Sequence, residues 1–154
     1  MIKEVKTENE MKAFGAQIGA MLKGGEVIEL VGDVGAGKTT LTKGIAVGLD
    51  IDEDVQSPSF TISRVYSARD ELILAHYDFY RLHSAGIMAD ELNEAAHDSG
   101  TVIIIEWGDV VEGVLPSDRL TIKIESPTEF DRRLTITSNG PLSATIEGEL
   151  WFYY

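Results

Sequence analysis

The chain has 154 residues, 44% of them hydrophobic, enough for one ordinary domain with a real core. Its 13 basic and 26 acidic residues give a formal net charge of −13, which argues against stand-alone binding to a nucleic-acid backbone. With no cysteine, disulfides, thiol catalysis and thiolate metal sites are excluded, and no apolar run approaches the ~20 residues of a membrane span. Met1-Ile2-Lys3-Glu4 carries no secretory leader, so a cytoplasmic protein without membrane contact is expected.

Thr7-Glu8-Asn9-Glu10 has capping-box spacing, and Met11, Phe14, Ile18, Met21 and Leu22 follow at helical intervals up to Gly24-Gly25. Residues 26–31 read as a strand, buried if parallel. After a glycine-rich loop, Leu41, Ile45 and Leu49 mark a helix running to about Gly48. Asp50 to Pro58 is polar and turn-rich. Residues 59–66 and 72–80 then read as two strands joined by a turn at 67–70, an antiparallel hairpin. Ser84 precedes a helical stretch with Ile87, Met88, Leu92 and Ala96, ending near Ser99-Gly100. Thr101 to Trp107 is the best candidate for a central strand, and Asp109 to Leu115 reads as one or two helical turns. Residues 119–125 and 132–137 alternate cleanly and pair as a hairpin through 126–131; from Asn139 onward the signals weaken. No repeat or domain boundary interrupts 1–154.

The loop Gly32-Asp33-Val34-Gly35-Ala36-Gly37-Lys38-Thr39-Thr40 fits the phosphate-binding pattern G-x-x-x-x-G-K-[ST] in the strand–loop–helix context that pattern requires. Gly32, Gly35 and Gly37 are expected to adopt backbone angles other residues avoid, letting N–H groups close on phosphate oxygens. The helix N-terminus adds partial positive charge and unpaired donors. Lys38, standing in solvent without ligand, is expected to reach the β- and γ-phosphates. The Thr39 hydroxyl is expected on Mg²⁺ and Thr40 on the α-phosphate, with Asp33 and Ala36 completing the cradle. The structural alternative is a glycine-rich turn with a surface lysine.

Three further clusters qualify as site candidates. Ser57-Pro58-Ser59-Phe60-Thr61 lies where a nucleotide-sensing loop would, or is a plain Ser/Pro turn opening a strand. In His76-Tyr77-Asp78-Phe79-Tyr80-Arg81, alternation sets His76, Asp78 and Tyr80 on one face. Asp78 is open to orienting water, to helping hold Mg²⁺, or to being an edge-strand carboxylate beside a structural histidine. Glu106 closes the central strand where such proteins place a Mg²⁺-side acid, and Trp107 either stacks on a base or packs under the loop. The three histidines lack metal-ligand spacing, so no zinc is assigned.

Taken together, Gly32-Asp33-x-Gly35-Ala36-Gly37-Lys38-Thr39-Thr40, Ser57-Pro58-x-Phe60-Thr61, His76-x-Asp78-x-Tyr80-Arg81 and Ile105-Glu106-Trp107 resemble the bacterial TsaE (YjeE) family over residues 7–138. The resemblance implies a small Mg²⁺-dependent ATPase. It would support synthesis of threonylcarbamoyladenosine beside the tRNA anticodon by acting on a complex of TsaB and TsaD; tight binding of tRNA by the chain itself is not expected at a net charge of −13. It implies Lys38, Thr39 and Thr40 on ATP and Mg²⁺, Glu106 on Mg²⁺, Asp78 in hydrolysis and Trp107 at the nucleotide site. Slow turnover by the lone chain is expected from an unordered switch-like loop, and docking of the partners is expected near 57–61 and Tyr80-Arg81, where it would sense the γ-phosphate. Ser59 stands where the family usually has Thr and keeps the hydroxyl, Gly108 is less usual, and Met11 stands where a Thr is common in the first helix, so no Thr-mediated contact to the base is carried over. The fold expected is an α/β P-loop NTPase, a mostly parallel sheet flanked by helices with an inserted antiparallel hairpin. The rival classes are a small-molecule P-loop kinase and a nucleotide-gated binding module with negligible hydrolysis.

Overall fold

In the computed structural model the residues described are 1–33, 35–56, 58, 63–79, 88–107, 113 and 115–154. The apolar run Val27–Val31 forms β2 at the middle of a seven-stranded sheet. It pairs in parallel with β5 (Thr101–Glu106) on one side and β6 (Leu120–Glu125) on the other. Strands flanked in this way and covered on both faces read as continuous apolar runs. β5 is buried at every position, as its β-branched sequence suggests.

β4 (Ile73–Asp78) extends the parallel centre beyond β5, and β3 (Ser63–Ser67) pairs antiparallel with β4 as the expected inserted hairpin. On the far flank β7 (Arg132–Ser138) pairs antiparallel with β6. β1 (Ile2–Val5), which had no sequence signal, closes that edge against β7. The order is β1-β7-β6-β2-β5-β4-β3, parallel in the centre and antiparallel at both flanks.

One face of the sheet carries α1 (Glu8–Met21), α2 (Lys38–Gly48) and α4 (Pro141–Tyr153); Phe14, Ile18, Leu41, Ile45, Ile146 and Leu150 share a core there with Leu30 and Ile104. The other face carries α3 (Met88–Ala96), whose Leu92 packs with Tyr77, Phe79, Ile103 and Ile105. Thr7 caps α1, its hydroxyl oxygen accepting the Glu10 N–H at 3.0 Å. The Glu10 carboxylate accepts from Lys6 N–H rather than from Thr7, so the capping box is only half formed.

α1 and α2 touch backbone to backbone. A Cβ on Gly15 would lie 2.6 Å from the Leu41 carbonyl oxygen, and one on Gly19 would lie 2.2 Å from that of Ile45. Reciprocally, a Cβ on Gly44 would lie 2.4 Å from the Lys12 carbonyl oxygen, and one on Gly48 would lie 2.2 Å from that of Ala16. This close approach seats α2, and with it the loop preceding the helix. The C-terminal carbonyls of α1 are not left bare: one Arg69 guanidinium nitrogen donates to Gly19, Ala20 and Leu22 at 2.9–3.0 Å.

α4 forms beyond Asn139, where sequence signals were weak. Its cap comes from a distant residue: the Asp118 carboxylate accepts from Leu142 N–H at 2.9 Å and Ser143 N–H at 3.0 Å. The Ser143 hydroxyl, 2.7 Å from Asp118, also accepts from Gly140 N–H. Burial pushes the Asp118 carboxyl up, but these hydrogen bonds together hold it below the ordinary carboxylate value. A second polar residue of the interior is Glu29, 7% exposed in β2, which accepts from Arg119 Nε and the Thr121 hydroxyl, both at 3.1 Å. Among the described residues no helix is long and apolar enough to cross a membrane.

The glycine contacts predict a contrast. Gly19→Ala drives a methyl into the Ile45 backbone, which cannot move aside like a flexible side chain. It should cost about 1–3 kcal/mol, the ordinary price of overpacking. Gly148→Ala, in α4 with nothing within 4 Å, should instead stabilise by about 0.5–1 kcal/mol through helix propensity. Thermal melts of the two variants should shift in opposite directions.

Candidate functional site

The loop between β2 and α2 presents its backbone, since no side chain among the described residues caps the helix. Gly37, the N-cap, sits in the left-handed region at φ 113°, and no side chain among the described residues bonds the first turn of α2. The first N–H groups of the helix are therefore open to an external acceptor. Gly35 is likewise left-handed at φ 82°. Gly32 is not among the positive-φ residues, contrary to the expectation for all three glycines. Its constraint is space, since a Cβ there would sit 2.8 Å from the Ile124 carbonyl oxygen on β6.

Lys38 also departs from expectation. It is 6% exposed rather than standing in solvent. Its Nζ donates to the Gly32 carbonyl oxygen at 2.8 Å and lies 3.8 Å from the centre of the Trp107 ring. Trp107, directly after β5, is left-handed at φ 58°, an uncommon conformation for a bulky residue and a local strain. The chain turns there and the indole covers the ammonium, a cation–π contact. Burial pushes the Lys38 ammonium below its ordinary value, opposed by the negative charges of Glu106, Asp78 and Asp33.

Those acids reach Lys38 from three elements. Parallel pairing sets Leu30 opposite Glu106 and Asp78 opposite Glu106, so β2, β5 and β4 end together beside the loop. Glu106 is 3% exposed, and its Oε2 lies 2.6 Å from Nε2 of the buried His76. Asp78 is half-buried and Asp33 exposed; Thr39 is exposed and Thr40 half-buried in the first turn of α2. The structure thus gathers Asp33, Lys38, Asp78, Glu106 and Trp107 around one end of the sheet, with Gly35, Ala36, Gly37, Thr39 and Thr40 lining the loop. Of the remaining candidates, Ser57, Ser59, Phe60, Thr61, Tyr80 and Arg81 lie outside the described residues, as do Gly108 and most of 109–115.

Two hollows flank the loop. A cleft of about 560 Å³ is lined by Gly32, Asp33, Lys38 and Trp107 and, from β6 and β7, by Lys123, Glu125 and Arg133. A second of about 260 Å³ is lined by Thr7, Met11, Gly35, Gly37, Thr40, Phe130 and Arg132. The lining from Lys123 to Arg133 was not anticipated. Arg132 holds the loop itself, its Nε donating to the Ala36 carbonyl oxygen at 3.2 Å. No local pattern announces a contact made across 96 positions. The exposed Phe130 in the β6–β7 turn offered a faint cue, an aromatic in an otherwise polar turn.

Comparison with known proteins places this arrangement. Residues 5–134 match the family model described as threonylcarbamoyl adenosine biosynthesis protein TsaE. A tRNA threonylcarbamoyladenosine biosynthesis protein TsaE from Bacillus subtilis is 42% identical over 136 residues, covering 85% of this chain and 81% of its own length. The protein of the same name from Streptomyces coelicolor is 37% identical over 145 residues, covering 89% and 96% respectively. The crystal structure of YdiB from Bacillus subtilis superposes with a TM-score of 0.83 at 35% identity, over 99% of this chain and 95% of that one. With a family model over most of its length and relatives this similar, the chain belongs to the TsaE family.

Proposed function

We propose that this chain binds ATP with Mg²⁺ at the β2–α2 loop, hydrolyses it slowly alone, and acts on a TsaB–TsaD complex in the threonylcarbamoyladenosine modification of tRNA. The observation that carries the reading is the junction of an uncapped helix N-terminus, a buried lysine and a buried strand-end carboxylate at one point. Open N–H groups and Lys38 suit the phosphates. Thr39 and Glu106 suit Mg²⁺, which proteins commonly hold through one or two carboxylates together with substrate phosphates. Among the described residues no group of three or more His, Asp or Glu could hold a metal ion alone, so the phosphates would complete the shell. When bound, Mg²⁺ neutralises charge developing on the phosphate oxygens. Asp78, half-buried beside Glu106, is suited to orienting the attacking water. Met11 and Phe130 offer apolar contact for a base in the hollow they share with Gly37 and Thr40.

The step in tRNA modification follows from family membership and from the names of the relatives. With a net charge of −13, the chain is poorly suited to gripping a polyanion, and partner proteins supply the route to tRNA. The Lys38 ammonium already donates to the Gly32 carbonyl and faces the Trp107 ring, and its further N–H donors suit a phosphate.

Lys38→Ala should weaken ATP binding 10-fold or more, since one charge-assisted hydrogen bond to phosphate is worth about 1.5–3 kcal/mol. Undiminished ATP affinity in a folded variant, measured by calorimetry, would contradict the phosphate cradle.

Asp78→Ala should keep ATP affinity and lose turnover, whereas Glu106→Ala should lose the part of the affinity that depends on Mg²⁺. Equal loss of affinity in both would refute this division of labour; titrations with and without Mg²⁺ decide it.

Adding TsaB–TsaD should raise ATP turnover, and the ATP-bound chain should bind that complex more tightly than the ADP-bound chain. Nucleotide-independent docking in a pull-down, or submicromolar tRNA binding by the lone chain, would count against the partner reading.

A further inference from the structure

The geometry points to His76 as a positioning residue that fixes the Glu106 carboxylate for Mg²⁺-dependent nucleotide binding. This rests on the reading of Glu106 as the Mg²⁺-side acid. His76 pairs with Ile104 across the β4–β5 ladder, and Asp78 pairs with Glu106. His76 therefore sits one pleat behind Glu106 on the same face of the sheet. Its side chain is fully buried, and Nε2 lies 2.6 Å from Oε2 of Glu106. Among the described residues this is the one side-chain hydrogen bond either residue makes, and Nδ1 of His76 has no partner.

These facts assign the tautomer. Hydrogen on Nδ1 would be a buried donor with no acceptor, so the ring carries its hydrogen on Nε2 and donates to Glu106. An aliphatic side chain would fill the same place among Leu74 and Ile104 without burying two ring nitrogens. The compensation for burying them is the bond to Glu106. That bond occupies Oε2 and restrains the carboxylate's rotation, leaving Oε1 for the metal or its water shell. Hydrogen-bond partners of this kind orient metal-binding carboxylates, and their loss typically costs about 10- to 100-fold in metal affinity.

The discriminating pair is His76→Gln and His76→Asn. The Gln amide nitrogen can take the place of Nε2, whereas the shorter Asn amide falls near the position of Nδ1 and cannot reach Glu106. Affinity for a fluorescent ADP analogue is titrated with and without Mg²⁺ on the full chain, alongside thermal melts of the ligand-free protein. His76→Asn should keep Mg²⁺-free affinity and require about 10- to 100-fold more Mg²⁺ for the metal-dependent gain. His76→Gln should retain most of the wild-type Mg²⁺ response, even if both variants melt earlier. If the Asn variant does not fold, His76→Met, of similar length and with no donor, replaces it in the comparison. An equal Mg²⁺ response in the Gln variant and the donor-less variant overturns the proposal, as does loss of Mg²⁺-free affinity in step with melting temperature. A wild-type chain whose nucleotide affinity ignores Mg²⁺ overturns instead the assignment of Glu106 itself, and the proposal with it.

Discussion

The parallel pairing of β2 with β5 is the constraint on which the site depends. It places Leu30 opposite Glu106, so that the chain leaving β2 enters the loop beside the acid that ends β5. A slip of one residue would turn every side chain of β5 to the opposite face. Glu106 would then leave the lysine's side of the sheet, and an isoleucine would take its place. β5 is buried at every position and has no polar alternation, so its register is set by the packing of its individual side chains and not by a polar–apolar pattern. The same ladder continues into β4, which brings Asp78 and His76 to the same end.

At this end a single buried cation faces three acids, in a chain that is acidic overall. Lys38 is buried among Glu106, Asp78 and Asp33, and their field offsets part of the burial cost of the ammonium. The Trp107 ring and the Gly32 carbonyl complete its surroundings. The strain at Trp107 belongs to the same arrangement, because the left-handed turn is what brings the indole over the lysine.

α2 is held as firmly as the sheet. Four glycines allow α1 and α2 to approach at backbone distance, and Arg69 reaches from the turn before β4 to close the end of α1. Glycine lowers helix propensity, so neither helix gains from these residues in isolation. The gain is in the contact, where dispersion acts between main chains. The loop is thus framed by a helix that cannot shift easily, and by Arg132 holding the Ala36 carbonyl from the opposite flank.

Much of this was legible in the residues. Period and propensity located β2, α1, α2, the β3–β4 and β6–β7 hairpins and the interior strand β5. The glycine-rich loop, Lys38, Asp78, Glu106 and Trp107 were identified as candidates because their residue types carry chemistry at known places in a strand–loop–helix unit. These signals are local, set by neighbours within a few positions along the chain. What the sequence could not reveal depends on distant partners. β1 is four residues long and is a strand only because β7 receives it. α4 starts where Asp118, more than twenty residues earlier, caps it. Lys38 looked exposed because lysine usually is, and only the turn of Trp107 over it decides otherwise. His76 read from the sequence only as a structural histidine beside Asp78; the β4–β5 register puts its ring against Glu106, a contact between residues 30 positions apart.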